Sequence, residues 1–224
     1  MPRPPSRMPP PLMPEPLRDV PLIPVVRASE VAFEGAVWDI RRETFELDGQ
    51  PIVREFMQHT GAVAVLALDE RGRVLVIRQY RHPIRMRDWE LPAGLLDTEG
   101  ETPLQAAQRE LAEEADLVAA RWDVLCEFTS SPGGSTEVVR VYLARELSDA
   151  DEVFERTEEE AGIEVRWVDL DEAVDAVLSR QVRNGILSIA VLAAREGADR
   201  GWALLGDPAQ AWTGEPGRHP AHSS

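Results

Sequence analysis

The chain has a single cysteine, Cys126, among 224 residues, which excludes an intrachain disulfide and any zinc site built on several thiolates. It contains no window of about 18 apolar residues, so no transmembrane helix is expected. The N-terminus lacks the apolar core of a secretory signal. These absences fit a reducing, cytoplasmic setting. Positive charge is also scarce: 24 basic against 40 acidic side chains leave a formal charge of −16. Nucleic acid and anionic membranes bind a basic face that releases their counterions, so neither is an expected partner. The same deficit poses a problem for a small anionic substrate, which needs local cations or a metal ion in order to approach. No Ser-His-Asp or Cys-His grouping is apparent. His59 and His82 sit at expected strand ends, while His219 and His222 fall near the C-terminus. No repeat of fixed period is visible.

Proline, by contrast, is abundant at one end, with ten of the 18 prolines lying between Met1 and Pro24. Proline fixes φ and removes a backbone donor, so residues 1–24 read as a disordered or polyproline II arm. An unstructured leader is one reading of this arm, and an SH3- or WW-type ligand is the other. Residues 206–224, rich in Gly, Pro, Ser and His, read as a flexible tail. The chain between these ends is 43% hydrophobic when averaged with them, enough for a substantial core and a soluble globular enzyme. Short runs at 32–38, 41–47 and 52–58, with a turn at Asp48-Gly49, predict a small antiparallel β section over 25–58. A larger domain follows over 59–205. Its strands are expected at 62–68, 74–79, 121–128, 137–144 and 163–168, the first two joined as a hairpin through Asp69-Glu-Arg-Gly72.

Three helices are expected, over 103–115, 170–178 and 185–195. The first carries the clearest signals. Thr102 is its N-cap, Pro103 takes the first helical position and Gln105 closes a capping box. Leu104, Ala107, Leu111 and Ala115 make its apolar stripe. Strands outnumber helices without regular alternation, so the expected class is α+β, a mixed sheet between helices.

That first helix also carries the chemistry. Glu110, Glu113 and Glu114 stand at i, i+3 and i+4, so their carboxylates cluster on one side. Only Arg109 is adjacent to brace them. Like charges so close destabilise a helix unless a cation sits among them, and an all-oxygen set suits Mg²⁺ or Mn²⁺. Gly94 and Gly100 allow the backbone before the helix to turn tightly and approach an ion or phosphate. Taken alone, three glutamates in so acidic a chain also read as a solvated helical face.

The wider pattern separates the two readings. Gly94, then Glu101, then seven residues and Arg109-Glu110-Leu111-Ala112-Glu113-Glu114-Ala115-Asp116-Leu117 resembles the Nudix box. That box runs Gly, five residues, Glu, seven residues, Arg-Glu-aliphatic-any-Glu-Glu-any-Gly-aliphatic. Two departures are present. Six residues separate Gly94 from Glu101, and Asp116 replaces the usual glycine. The extra residue precedes Thr102 and leaves the glutamate register intact, while Asp tolerates the left-handed conformation of a C-cap.

The resemblance spans roughly 30–194 and is to the ADP-ribose pyrophosphatase branch of the Nudix hydrolases. Ile77-Arg78-Gln79-Tyr80-Arg81 and Trp89-Glu90-Leu91-Pro92-Ala93-Gly94 are similar to the segments leading into that branch's box. The resemblance implies an α/β/α sandwich and hydrolysis of ADP-ribose to AMP and ribose 5-phosphate. It implies two or more Mg²⁺ (or Mn²⁺) ions held by Glu110, Glu113, Glu114 and the Ala93 carbonyl, with Arg109 and Glu113 also in the catalytic set. Arg81 and Glu90 are implied as substrate-binding, and Pro132 of Ser131-Pro132-Gly133 as substrate-selecting. Glu159 or Glu160 in Glu155-Arg-Thr-Glu-Glu-Glu160 is implied as the base on a mobile acidic loop. Members of this branch are dimers, so Arg54 is implied to reach the partner's diphosphate and Trp38 to stack near adenine; the alternatives are a surface arginine at 54 and a core or interface tryptophan at 38. Hydrolysis of other nucleoside diphosphate sugars or dinucleotides is the nearest rival function. A non-catalytic ADP-ribose-binding module is another, but such modules commonly lose the box carboxylates retained here.

Overall fold

The computed structural model describes residues 17–151 and 162–212. Three strands come first: β1 (Val25–Phe33), β2 (Asp39–Leu47) and β3 (Gln50–Gln58), paired antiparallel in chain order. Asp48 and Gly49 both take positive φ, +52° and +75°, the type I′ geometry that matches strand twist in a two-residue hairpin. β1 lies earlier than the expected run at 32–38. Almost all of its residues are exposed, so no alternation marks its limits in the sequence.

The remaining elements form three layers. β4 (Ala62–Ala67) pairs antiparallel with β7 (Ala93–Leu95) and parallel with β9 (Val138–Asp149). β8 (Leu117–Thr129) completes a sheet ordered β7-β4-β9-β8. A second sheet is ordered β10-β5-β6, from β5 (Arg73–Arg81), β6 (Met86–Glu90) and β10 (Glu164–Asp169). Helix α1 (Pro103–Ala115) covers one side, and α2 (Leu170–Leu178) with α3 (Gly185–Asp199) covers the other. β4 shows why both faces need cover. Its Ala62, Ala64 and Leu66 enter the core under α2 and α3, while Val63, Val65 and Ala67 enter the core under α1. The result is an α/β/α sandwich with mixed strand directions.

Two expectations change here. The single mixed sheet is two sheets, and the turn at Asp69-Gly72 is real but does not make the expected hairpin. Asp69 N–H donates to the Arg73 carbonyl at 3.0 Å, and its carboxylate accepts from the backbone N–H groups of Arg71 and Arg73. Beyond a bridge between Leu68 and Val74, however, β4 and β5 diverge into different sheets. Among the described residues no helix is long and apolar enough to cross a membrane.

The stretch read as a tail from Gly206 is held to the body as far as Trp212. Gly206 and Val124 exchange both backbone hydrogen bonds at 2.9 Å. Arg140 on β9, whose side chain is 1% exposed, donates to the carbonyls of Gln210 and Ala211 at 3.0 and 3.2 Å. Its guanidinium also pairs with Glu127 at 2.5 Å and lies 5.1 Å from the Trp212 ring. A buried guanidinium is costly unless each N–H finds an acceptor. Ending the chain at Leu205 removes two of those acceptors and the stacked ring. Urea denaturation of that shortened chain is expected to show a loss of about 3 kcal/mol, and an unchanged midpoint would show that the segment contributes nothing.

Candidate active site

Helix α1 begins and ends as its sequence dictates. The Thr102 hydroxyl accepts from Gln105 N–H, and the Gln105 side-chain oxygen accepts from Thr102 N–H, a reciprocal capping box. Asp116 closes the other end at φ +54°, its N–H donating to the Ala112 carbonyl. With both ends fixed, Ala106, Ala107 and Leu111 face the core under β4, and the glutamates turn towards the loop that leads into the helix.

That loop starts at β7, where strand and helix are in close contact. A Cβ on Gly94 would lie 1.8 Å from the Glu110 Oε1 atom, a distance no side chain tolerates. Glycine at 94 is therefore what lets the carboxylate lie against the strand. One residue earlier, Ala93 N–H donates to the Glu114 carboxylate at 2.9 Å. Glu114 is only 4% exposed, and this bond is part of how the interior accommodates it.

Arg109 sits among the remaining carboxylates. It engages Glu101 through two parallel bonds of 2.9 and 3.0 Å, Glu110 at 2.7 Å and Glu113 at 3.0 Å. Hydrogen bonding to Glu101 is the largest influence holding its pKa above the ordinary arginine value, opposed by burial and assisted by Glu110 and Glu113. Like charges on this helix are thus tolerated partly because a guanidinium stands among them. Glu101 enters the pattern in the sequence with no assigned role, and the structure gives it one as the bidentate anchor of Arg109. Substituting Arg109→Met removes the cation shared by three carboxylates. The side chain is a third exposed, so the cost is discounted to about 2 kcal/mol. Calorimetry should show the metal-free variant melting below the parent, with part of the loss recovered on adding Mg²⁺.

The donor set suits a hard divalent cation in its chemistry. It consists of oxygen only, gathered between α1 and β7, with the Gly94 cradle keeping Glu110 beside the strand. Among the described residues no three carboxylates are arranged as a ready set of ligands, and Arg109 bonds two of the implied ligands, Glu110 and Glu113.

A second pair lies on the sheet of β5 and β6. Arg81 binds Glu90 through bonds of 2.8 and 2.7 Å, with the Glu90 side chain 7% exposed and that of Arg81 42%. The guanidinium is thereby held in a fixed plane by a buried carboxylate, on a side chain that is partly exposed. Arg54, on β3, is exposed, donates to the Val53 carbonyl at 2.8 Å and joins neither cluster. Trp38 is 41% exposed and stacks on His59 with ring centroids 5.5 Å apart. It is therefore a surface-edge ring on a buried one, not a core residue. Pro132 is exposed in a turn closed by Gly134 N–H donating to the Ser131 carbonyl at 2.9 Å. Glu159 and Glu160 lie outside the described residues. Cys126 offers no rival nucleophile, since burial pushes its thiol up to about 11.

Comparison with known proteins places the chain in a family. The family model described as NUDIX domain matches residues 57–186. An ADP-ribose pyrophosphatase of Mycobacterium tuberculosis is 43% identical over 167 residues, covering 74% of this chain and 80% of that protein. An ADP-ribose pyrophosphatase of Bacillus subtilis is 39% identical over 165 residues, covering 73% and 88% respectively. A crystal structure described as that of an ADP compounds hydrolase has a TM-score of 0.68 at 19% identity, covering 82% of this chain and 98% of that chain, a likeness of fold. With the family model over more than half its length and two relatives above 30% identity, the chain belongs to the Nudix hydrolase family.

Proposed function

We propose that this enzyme hydrolyses the diphosphate of ADP-ribose, releasing AMP and ribose 5-phosphate. The observation that carries the reading is the junction of β7 and α1, where Glu110 rests on Gly94 and Glu114 holds the Ala93 N–H. The two pyrophosphatases above, similar over about three quarters of the chain, supply the substrate class.

In this proposal Glu110, Glu113, Glu114 and the Ala93 carbonyl would hold two or more Mg²⁺ ions, replaceable by Mn²⁺. When bound, such ions neutralise the diphosphate and make a water easier to deprotonate. The chain's own residues do the rest. Arg109 keeps Glu110 and Glu113 apart and oriented through its bond to Glu101. Arg81, held in plane by Glu90, pairs with non-bridging oxygens and stabilises their charge in the transition state. Arg54 offers a second guanidinium from a partner subunit, and Trp38 a ring face to the adenine. Pro132 limits which sugar the site accepts. Glu159 or Glu160 removes the proton from the attacking water. The local cations also answer the charge problem, because a −16 chain accepts an anion where arginine and metal meet it. The exposed Val31, Phe33 and Val53 of the first sheet are the surface a second copy would cover in the proposed homodimer.

The test is product analysis with Mg²⁺ on ADP-ribose, ADP-glucose, GDP-mannose and flavin adenine dinucleotide. AMP release with the highest kcat/KM on ADP-ribose is expected. A clear preference for another member of the panel would replace the substrate, and no turnover of any would end the reading.

A further inference from the structure

His59 has a nearly covered side chain with contacts in three directions. It follows β3 directly, and the β2–β3 register that pairs Asp39 with Gln58 puts Trp38 opposite it by one further step. The two rings stack at 5.5 Å with planes 22° apart. The His59 side chain is 4% exposed, so Trp38 rests on a ring that cannot move aside into solvent.

The imidazole's two nitrogens have different tasks. Nδ1 accepts the Gly61 N–H at 3.0 Å, which places the ring proton on Nε2. Nε2 faces the Glu137 carboxylate at 3.5 Å. Burial lowers the proton affinity of the ring while Glu137 pulls the other way, in keeping with this neutral tautomer. Beyond Gly61, its carbonyl accepts from Leu96 N–H at 3.1 Å, two residues after the glycine that cradles Glu110. Beyond Glu137, the carboxylate also accepts from the Ser130 hydroxyl, at the base of the turn holding Pro132. Thr136 ties that turn to the His59 backbone, its hydroxyl accepting from His59 N–H at 2.9 Å.

From this we infer that His59 is a positioning residue: one neutral imidazole holds the Trp38 ring, the Pro132 turn and the loop at Gly94 at fixed separations. The inference rests on the proposed function, because Trp38 and Pro132 matter to turnover only if a nucleoside diphosphate spans them. It gives each edge of the ring a distinct kinetic consequence. The flat face supports binding of the base, and Nδ1 supports the geometry of the catalytic loop.

Two substitutions separate these roles. His59→Asn keeps an acceptor where Nδ1 stood but removes the ring, so KM should rise about fivefold with kcat nearly unchanged. His59→Phe keeps a ring under Trp38 but removes the acceptor for Gly61, so kcat should fall at least about tenfold with KM nearly unchanged. Steady-state kinetics on ADP-ribose with Mg²⁺, beside melting temperatures, read both. Variants that leave both parameters within twofold of the parent, or that move both in step with lost stability, overturn the inference. If neither ring variant folds, Glu137→Ala still decides. It removes the carboxylate that links Nε2 to the Ser130 hydroxyl at the base of the turn and should raise KM, and an unchanged KM overturns the inference. A parent that turns over no nucleoside diphosphate compound removes the proposed function and this inference with it, whereas an active parent with indifferent variants removes only the inference.

Discussion

Glu110→Gln is expected to lower turnover of ADP-ribose about 10³-fold while leaving the melting temperature within a few degrees of the parent. The two halves of that expectation come from different atoms. Glutamine keeps the size of the side chain beside Gly94 and still offers a carbonyl oxygen to the Arg109 N–H that now reaches Glu110 at 2.7 Å. Packing and the local hydrogen bond therefore survive. What disappears is one negative charge at the junction of helix and strand, where the substrate's own charge has to be countered through cations. If Glu110 holds a metal ion as proposed, losing that charge costs several kcal/mol in the transition state. Initial rates across a Mg²⁺ titration give the number. Near-parental activity at ordinary Mg²⁺ would show that Glu110 is no part of the machinery.

Gly94→Ala is expected to be as damaging to activity from the opposite side of the same contact. A methyl group there would stand 1.8 Å from Glu110 Oε1, 2.2 Å from its carboxylate carbon and 2.7 Å from its Cγ. Three close approaches to one side chain cannot be relieved by a small rotation. Either Glu110 swings out or α1 retreats from β7, and in both cases the carboxylates lose their placement against the Ala93–Gly94 backbone. Overpacking should lower stability by about 1–3 kcal/mol, and misplacement should reduce kcat/KM at least about 100-fold. The paired variant Gly94→Ala with Glu110→Ala separates the causes: it should recover stability without recovering activity. If Gly94→Ala alone retains parental kcat/KM, the close contact has no bearing on catalysis.

The sequence was most legible where local chemistry acts alone. Helix α1 is read to its final residue because Thr102, Pro103, Gln105 and Asp116 each specify a terminus without help from distant parts of the chain. The same helix announces its carboxylates by spacing. Legibility fades where tertiary contacts decide. β7 is three residues, Ala93–Leu95, too short for any alternation, yet it positions the site. β6, Met86–Glu90, mixes a cation, two acids and a tryptophan and shows no apolar period. The split into two sheets is hidden because β4 and the 74–77 stretch of β5 are both continuous apolar runs, buried on two faces. Nothing local foretells that residues 206–212 fold back to supply acceptors for the Arg140 guanidinium. His59 is similarly silent, because its partners Trp38, Gly61 and Glu137 meet only after β2, β3 and the 131–134 turn have come together.

The parallel pairing of β4 with β9 has a kinetic meaning. Ala62 lies beside Val139, so every residue that frames the carboxylates belongs to the long loop this pairing must close. Such closure is entropically slow and precedes any reward from the contacts it makes. If that closure is the slow step, the junction of β7 with α1, where the proposed cation would sit, is secured only after it. Divalent ions should then act as a brake on unfolding and leave the refolding rate unmoved, a distinction stopped-flow measurements with and without Mg²⁺ can draw. Faster refolding in Mg²⁺ would mean that the junction forms early and that β9 docks onto a site already in place.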